Sequence, residues 1–144
     1  MQSKDNDVPK NLFQQIRDMT VAQKIEFSRR AGKEARSILL RDPSKVVQMA
    51  VIQSPKITES EILMVARNRQ VEDDVLRYIV SRRDWIKNYS IKVALVNNPK
   101  TPMAVALRLI PSLGPKDLSN LVRSKAVPRA LAVAAERRLK EMRR

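Results

Sequence analysis

The sequence predicts an all-α protein, built from short helices stacked on one another, with no sheet. Three observations carry this expectation. The 144 residues include only 2 glycines and are rich in Ala, Leu, Val, Ile, Lys and Arg; glycine costs a helix about 1 kcal/mol per position relative to alanine, whereas straight-chain residues cost little. Helix-start punctuation returns at short intervals. No stretch alternates apolar and polar residues between hairpin turns. The length fits one domain. Hydrophobic residues make up 43% and aromatics only 3%, so the core must rest on many small contacts between aliphatic side chains.

The elements follow in order. Pro9 precedes an apolar stripe of Leu12, Phe13 and Ile16. Thr20 and Gln23 have capping-box spacing, in which a hydroxyl and an amide satisfy orphan backbone donors. The helix they open is expected to run to about Arg30, with Gly32 as its terminator. Residues 33–41 place Ala35, Ile38 and Leu39 on one face. Asp42-Pro43 is read as an N-cap followed by proline at the first helical position. Thr58 and Glu61 repeat the capping box. Glu72, Asp73 and Asp74 crowd one helix start, where negative charge suits the helix dipole. Ser81 or Arg83 opens a helix expected to carry Trp85, Tyr89, Val93 and Val96. Thr101-Pro102, Gly114-Pro115 and Val127-Pro128 open the last three. The total is about ten helices, mostly of roughly 8–15 residues.

The restarts form an imperfect repeat. Ala50 to Thr58 and Ala94 to Pro102 share a plan: small and branched apolar residues, then a Ser54-Pro55-Lys56 or Asn98-Pro99-Lys100 corner, then a new helix. Asn68 and Ser124 head more degenerate copies. Ser54, Asn98 and Ser124 suit turns, where a short polar side chain bonds nearby backbone. No helix pair can bury its apolar face alone, and stacking successive pairs makes one continuous core.

At Asn98-Pro99-Lys100-Thr101-Pro102, followed by Val105 and Leu107, the chain resembles a leucine-rich repeat variant unit, within the wider HEAT-like helical repeats. The resemblance spans roughly residues 42–136. It implies a right-handed superhelical solenoid of short helix pairs whose concave surface binds partners. Some members of the variant family carry an iron–sulfur cluster on an N-terminal cysteine segment; with Cys 0 that feature does not transfer. The expected organisation is one helical-repeat domain over residues 1–144. Residues 1–41 form an N-terminal helical cap, 42–127 the repeat body and 128–144 a basic C-terminal capping helix.

The missing residue types narrow the chemistry. With His 0 and Cys 0, Ser-His-Asp and Cys-His nucleophile systems and His- or Cys-ligated zinc are excluded. Two glycines cannot build a phosphate-binding or dinucleotide loop. Neither a cofactor nor a metal is expected, and no small-molecule substrate is evident. Asp73 and Asp74 could meet a hard cation, but adjacent helical positions point apart and the helix start explains both; Glu59 and Glu61 read the same way. No run approaches the roughly 20 apolar residues needed to cross a bilayer. Residues 1–7 lack a secretory apolar run, and the absence of cysteine fits a reducing cytoplasm.

Charge is the remaining signal. The formal net charge is +14, a field that gathers polyanions: nucleic acid, an anionic membrane face or an acidic protein. Residues 121–144 are the most basic part, with eight Lys/Arg against Glu136 and Glu141. In the last helix Leu131, Ala135, Leu139 and Met142 form the apolar stripe. Arg137, Lys140 and Arg144 share another face, with Arg138 and Arg143 nearby. A second cluster is Arg82 and Arg83, with Arg77, followed by Lys87 and Lys92. A third is Arg29, Arg30, Lys33 and Arg36 around Gly32. Each cluster suits either a solvated surface or phosphate contact. Lys56 and Lys100 recur in phase at the repeat corners. Trp85 and Tyr89, at i,i+4, suit core packing first and a base-stacking platform second. A last helix whose apolar face lacks Trp and Phe packs well and inserts poorly, so membrane binding is not expected.

The leading expectation is a non-enzymatic binding module contacting nucleic-acid phosphates without base readout. It would use Arg82, Arg83, Lys87, Lys92, Arg137, Arg138, Lys140, Arg143 and Arg144. The alternative is an adaptor that binds an acidic peptide or helix. A third reading is a HEAT-like DNA-repair enzyme using Asp84 beside Trp85.

Overall fold

A computed structural model of the chain describes residues 11–144; Pro9 lies outside them. The described residues are all-helical, with no strand. The chain divides into two compact units, Met1–Ile57 and Thr58–Arg144.

In the first unit four helices follow one another: α1 (Leu12–Arg17), α2 (Val21–Ser28), α3 (Lys33–Leu39) and α4 (Lys45–Ile52). They are shorter than the sequence suggests, because caps interrupt the chain every turn or two. The Asn11 side chain accepts from the Gln14 N–H at 2.8 Å, and Gln14 Oε1 accepts from the Asn11 N–H at 3.3 Å. Thr20 and Gln23 make the same reciprocal pair at 3.1 and 2.8 Å. Helix α2 then stops at Ser28, and its last turn tightens into i→i−3 bonds from Arg29 to Glu26 and from Arg30 to Phe27. Gly32 is not the terminator. It is extended (φ −76°, ψ 179°) and N-caps α3, and no described residue has positive φ.

A second correction concerns Asp42. Ser44, not Asp42, caps α4, accepting from the Val47 N–H at 3.4 Å, so Pro43 precedes the cap. Asp42 instead accepts from the Ser44 N–H at 2.9 Å and pairs with Lys24 of α2. Within this unit α1 packs on α3 and α2 on α4, besides the contacts between successive helices from α2 to α4. Ile16, Ala35, Leu39, Val47 and Val51 are buried between them. Each large aliphatic side chain contributes about 1.5–3 kcal/mol by leaving water. Ile38, expected on the same face as Ala35 and Leu39, is only half-buried.

The second unit contains α5 (Glu59–Arg67), α6 (Asp73–Ser81), α7 (Arg83–Ile86) and α8 (Tyr89–Asn97). It continues through α9 (Met103–Leu109), a 3₁₀ turn (Ile110–Ser112), α10 (Pro115–Arg123) and α11 (Arg129–Met142). The Thr58–Glu61 capping box forms, and Glu61 Oε2 accepts both the Thr58 N–H (2.9 Å) and hydroxyl (3.0 Å). Glu72 is the N-cap residue of α6, and Asp73 and Asp74 lie in its first turn. Pro102, Gly114 and Pro128 stand at the N-caps of α9, α10 and α11.

The single helix expected to carry Trp85 through Val96 is two. Asn88 interrupts it: Oδ1 accepts from the Ile91 N–H at 3.3 Å, and Nδ2 donates to Glu59 of α5 at 2.9 Å. A short amide side chain that bonds nearby backbone favours a cap over helix continuation. Helix α5 packs on α8, α9 on α11 and α10 on α11, with α6 and α7 completing the chain of neighbours. Ile62, Leu76, Ile79, Ile91, Leu95 and Leu121 are among the fully buried side chains.

The corners share one device. Ser54, Asn68, Asn98 and Ser124 each accept the backbone N–H two residues on, at 3.3, 2.8, 2.9 and 3.1 Å. Asn98 does more. It is 5% exposed, and its Nδ2 donates to the carbonyls of Ala66 (2.7 Å) and Asn68 (2.9 Å), fastening the α8 corner to the end of α5.

Candidate functional site

Helix α11 buries Leu131, Ala135 and Leu139. Met142, expected to extend this stripe, is 40% exposed at the last residue of the helix. Arg137, Lys140, Arg143 and Arg144 are exposed, and none of them has a carboxylate partner among the described residues. Arg138 behaves differently. Its Nη2 donates to the Pro111 carbonyl at 3.4 Å and its Nη1 lies 3.6 Å from Glu141. Its Nε is buried without a partner. That side chain ties α11 to the 3₁₀ turn and is a poor phosphate contact.

A groove of about 370 Å³ is lined by residues of α10 and α11. Arg123, Lys140 and Arg143 line it with Ser119, Val122 and Leu139, and Glu136 is its one acid. Arg123 was not singled out above. Arg123 ends α10, far in sequence from Lys140, and reaches the group only because α10 packs on α11. Its Nη2 donates to Asn120 Oδ1 at 2.9 Å.

Around α7 one cation, Arg82, is engaged within the protein. The Arg82 guanidinium lies 4.3 Å from the centre of the Trp85 ring and donates to both Asp84 oxygens, at 3.3 and 3.2 Å. It also reaches the Tyr78 hydroxyl at 3.5 Å. These bonds, Tyr78 first and Asp84 next, push the Arg82 pKa further up. Trp85 is 5% exposed and meets the Tyr78 ring edge-on at 5.9 Å, so it is a core side chain and offers no free face to a base. Arg83 and Lys87 are exposed, and Lys92 is half-buried on α8. In the first unit Arg36 leaves its expected cluster: it is 5% exposed and donates to the Ala31 carbonyl at 2.7 Å. Arg30 lies over the Phe27 ring at 5.4 Å.

Tyr89, on the far side of the Asn88 break from Trp85, is 44% exposed. Its hydroxyl donates to Asp117 Oδ2 at 2.5 Å and accepts the Gly114 N–H at 2.8 Å. The bond to Asp117 outweighs that from Gly114 and raises the phenol above its ordinary value of 10, so it stays protonated near neutral pH. Tyr89 lines an open groove of about 370 Å³ with Arg67, Arg69, Ser90, Asn97 and Asp117.

Known protein families, curated proteins and solved structures gave no match to the chain. Among the described residues no group of three or more acids is arranged to hold a metal ion; Asp73 and Asp74 face Arg77 at 3.9 and 4.0 Å. No described helix is long and apolar enough to cross a membrane.

Proposed function

We propose that the chain is a non-enzymatic binding module that contacts nucleic-acid phosphates through α10 and α11, without base-specific readout. The observation that supports this most is the set of Arg137, Lys140, Arg143 and Arg144, exposed and without acid partners among the described residues, with Arg123 lining one groove together with Lys140 and Arg143. Arg137 and Lys140 lie in the last two turns of α11, with Arg143 and Arg144 just past its end, a face that extends over roughly 10 Å. A duplex presents one phosphate charge per about 1.7 Å of its own axis, so such a face meets several phosphates at once. Guanidinium groups suit these contacts because they pair bidentately with phosphate oxygens. Backbone contacts position a protein but carry no sequence information.

The scaffold in this proposal is a HEAT-like, leucine-rich repeat variant-like solenoid. Its support is the repeated Ser/Asn corner and the way helices pack on their next-but-one neighbours within the units, as α1 does on α3 and α9 on α11. The second reading, an adaptor for an acidic peptide or helix, draws on Val122 and Leu139 beside the cations of the same groove. The DNA-repair reading loses its basis, because Asp84 is held by Arg82 and Trp85 is buried.

The test is binding to labelled duplex across a salt series, with a triple Arg137→Glu, Lys140→Glu, Arg143→Glu variant. The proposal expects binding near physiological salt that the triple variant abolishes. Binding confined to low salt, or equal for any polyanion, would send the reading to the acidic-partner adaptor.

A further inference from the structure

We infer that the Tyr89 groove is a single-strand subsite: one unpaired base stacks on the Tyr89 ring while Arg67 and Arg69 hold the flanking phosphates. The inference rests on the nucleic-acid reading above and adds a substrate class to it. Three features of the groove point this way.

The ring is exposed yet held. Its hydroxyl is fastened at one end by the Asp117 carboxylate and the Gly114 N–H, so the ring is pre-oriented before a ligand arrives. Rigidity of this kind lowers the ordering cost of binding. Asp117, the one acid lining the groove, has an oxygen committed to the Tyr89 hydroxyl. The carboxylate keeps its charge, and Arg67 and Arg69 outnumber it in the groove.

The second feature is the pair of arginines. Arg67 ends α5 and Arg69 lies in the turn beyond it; both are exposed and neither has an ion-pair partner among the described residues. Asn98, clamped to the carbonyls of Ala66 and Asn68, fixes that turn beside α8. Arginines and an exposed aromatic ring thus line the same groove from elements tied to one another.

The third is the choice of ligand. A base stacks only when it is out of the duplex, and an aromatic platform in a cationic groove is how proteins hold single strands without reading sequence. An acidic peptide would use the arginines but would gain little from a flat ring. Ser90 and Asn97 add neutral polar groups beside it.

The experiment uses the full chain with a fluorescein-labelled oligothymidylate and a hairpin duplex as probes, and Tyr89→Leu and a paired Arg67→Gln, Arg69→Gln variant. Tyr89→Leu is expected to weaken single-strand binding at least about fivefold, the effect of losing one stacked base, and to leave duplex binding within about twofold. The arginine pair is expected to lower the salt slope for the single strand by about 1.4, from about 0.7 per lost phosphate contact. Should Tyr89→Leu fail to keep the wild-type helical spectrum, the surface arginine pair carries the test alone. Single-strand binding unchanged in these variants overturns the inference. So does equal displacement of the oligonucleotide by polyglutamate with no dependence on Tyr89. Duplex binding separates the two readings: if it persists and depends on α11, only the single-strand subsite falls. If neither probe binds, both fall.

Discussion

Replacing Asn98 with alanine should be the most damaging polar substitution in the second unit. The side chain is 5% exposed and makes three hydrogen bonds, donating to Ala66 and Asn68 and accepting from Lys100. Each is worth about 0.5–1.5 kcal/mol net, and a buried carbonyl left without a donor adds to the loss. The expected cost is about 2–4 kcal/mol. For a chain of 144 residues that lowers Tm by roughly 2–4 °C per kcal/mol. Asn68→Ala, which loses only the bond from the Gln70 N–H, should cost about 1 kcal/mol. Asn98→Asp separates donation from acceptance. A carboxylate still accepts from Lys100 but faces two carbonyl oxygens, so the variant should be at least as unstable as Asn98→Ala at neutral pH. Protonation restores one donor, so stability should return as pH falls. Urea unfolding followed by circular dichroism and by Trp85 emission reads all three variants. A loss for Asn98→Ala no larger than that for Asn68→Ala would refute the clamp.

Other substitutions test other parts of the structure. Leu131→Ala, at a fully packed position of α11, should cost about 2–5 kcal/mol by leaving a cavity, read from the urea midpoint. Arg82→Lys should fail to restore what Arg82→Ala loses, because a lysine can neither stack flat on Trp85 nor bridge both Asp84 oxygens. Trp85 emission should shift to the red in both variants, and an unchanged spectrum would mean that Arg82 does not shield the ring. For Tyr89 the sign follows from its raised pKa: the folded state favours the protonated phenol. Its contribution is fully present below pH 10 and is lost as pH rises through the folded value. Tyr89→Phe should remove this component, and an ultraviolet titration in which Tyr89 ionises at its ordinary value of 10 would contradict the Asp117 bond.

Most of the helix boundaries were legible in the sequence because caps are local chemistry. Thr20-Gln23 and Thr58-Glu61 need only three residues of spacing to declare a helix start, and Pro128 needs only its own ring. Misreadings arose where one short polar residue had two local uses. Asp42 looked like a cap but serves the turn before Ser44, and Asn88 breaks a helix that aliphatic spacing would carry through. The candidate site was less legible because burial decides which cations are free. In sequence, Arg36, Arg82 and Arg138 resemble Arg137. Yet the first donates to a carbonyl from within the core, the second covers Trp85, and the third leans on Pro111. Arg123 joins Lys140 only through helix packing, which no periodicity encodes.

The most direct measurement is the slope of log affinity against log salt for duplex binding. Five phosphate contacts from Arg123, Arg137, Lys140, Arg143 and Arg144 predict a slope near −4.5, at about 0.9 per contact. A single Lys140→Gln change should reduce its magnitude by about one unit while weakening all sequences alike. A slope near zero, or one that the α11 substitutions leave unchanged, would contradict phosphate binding by this face.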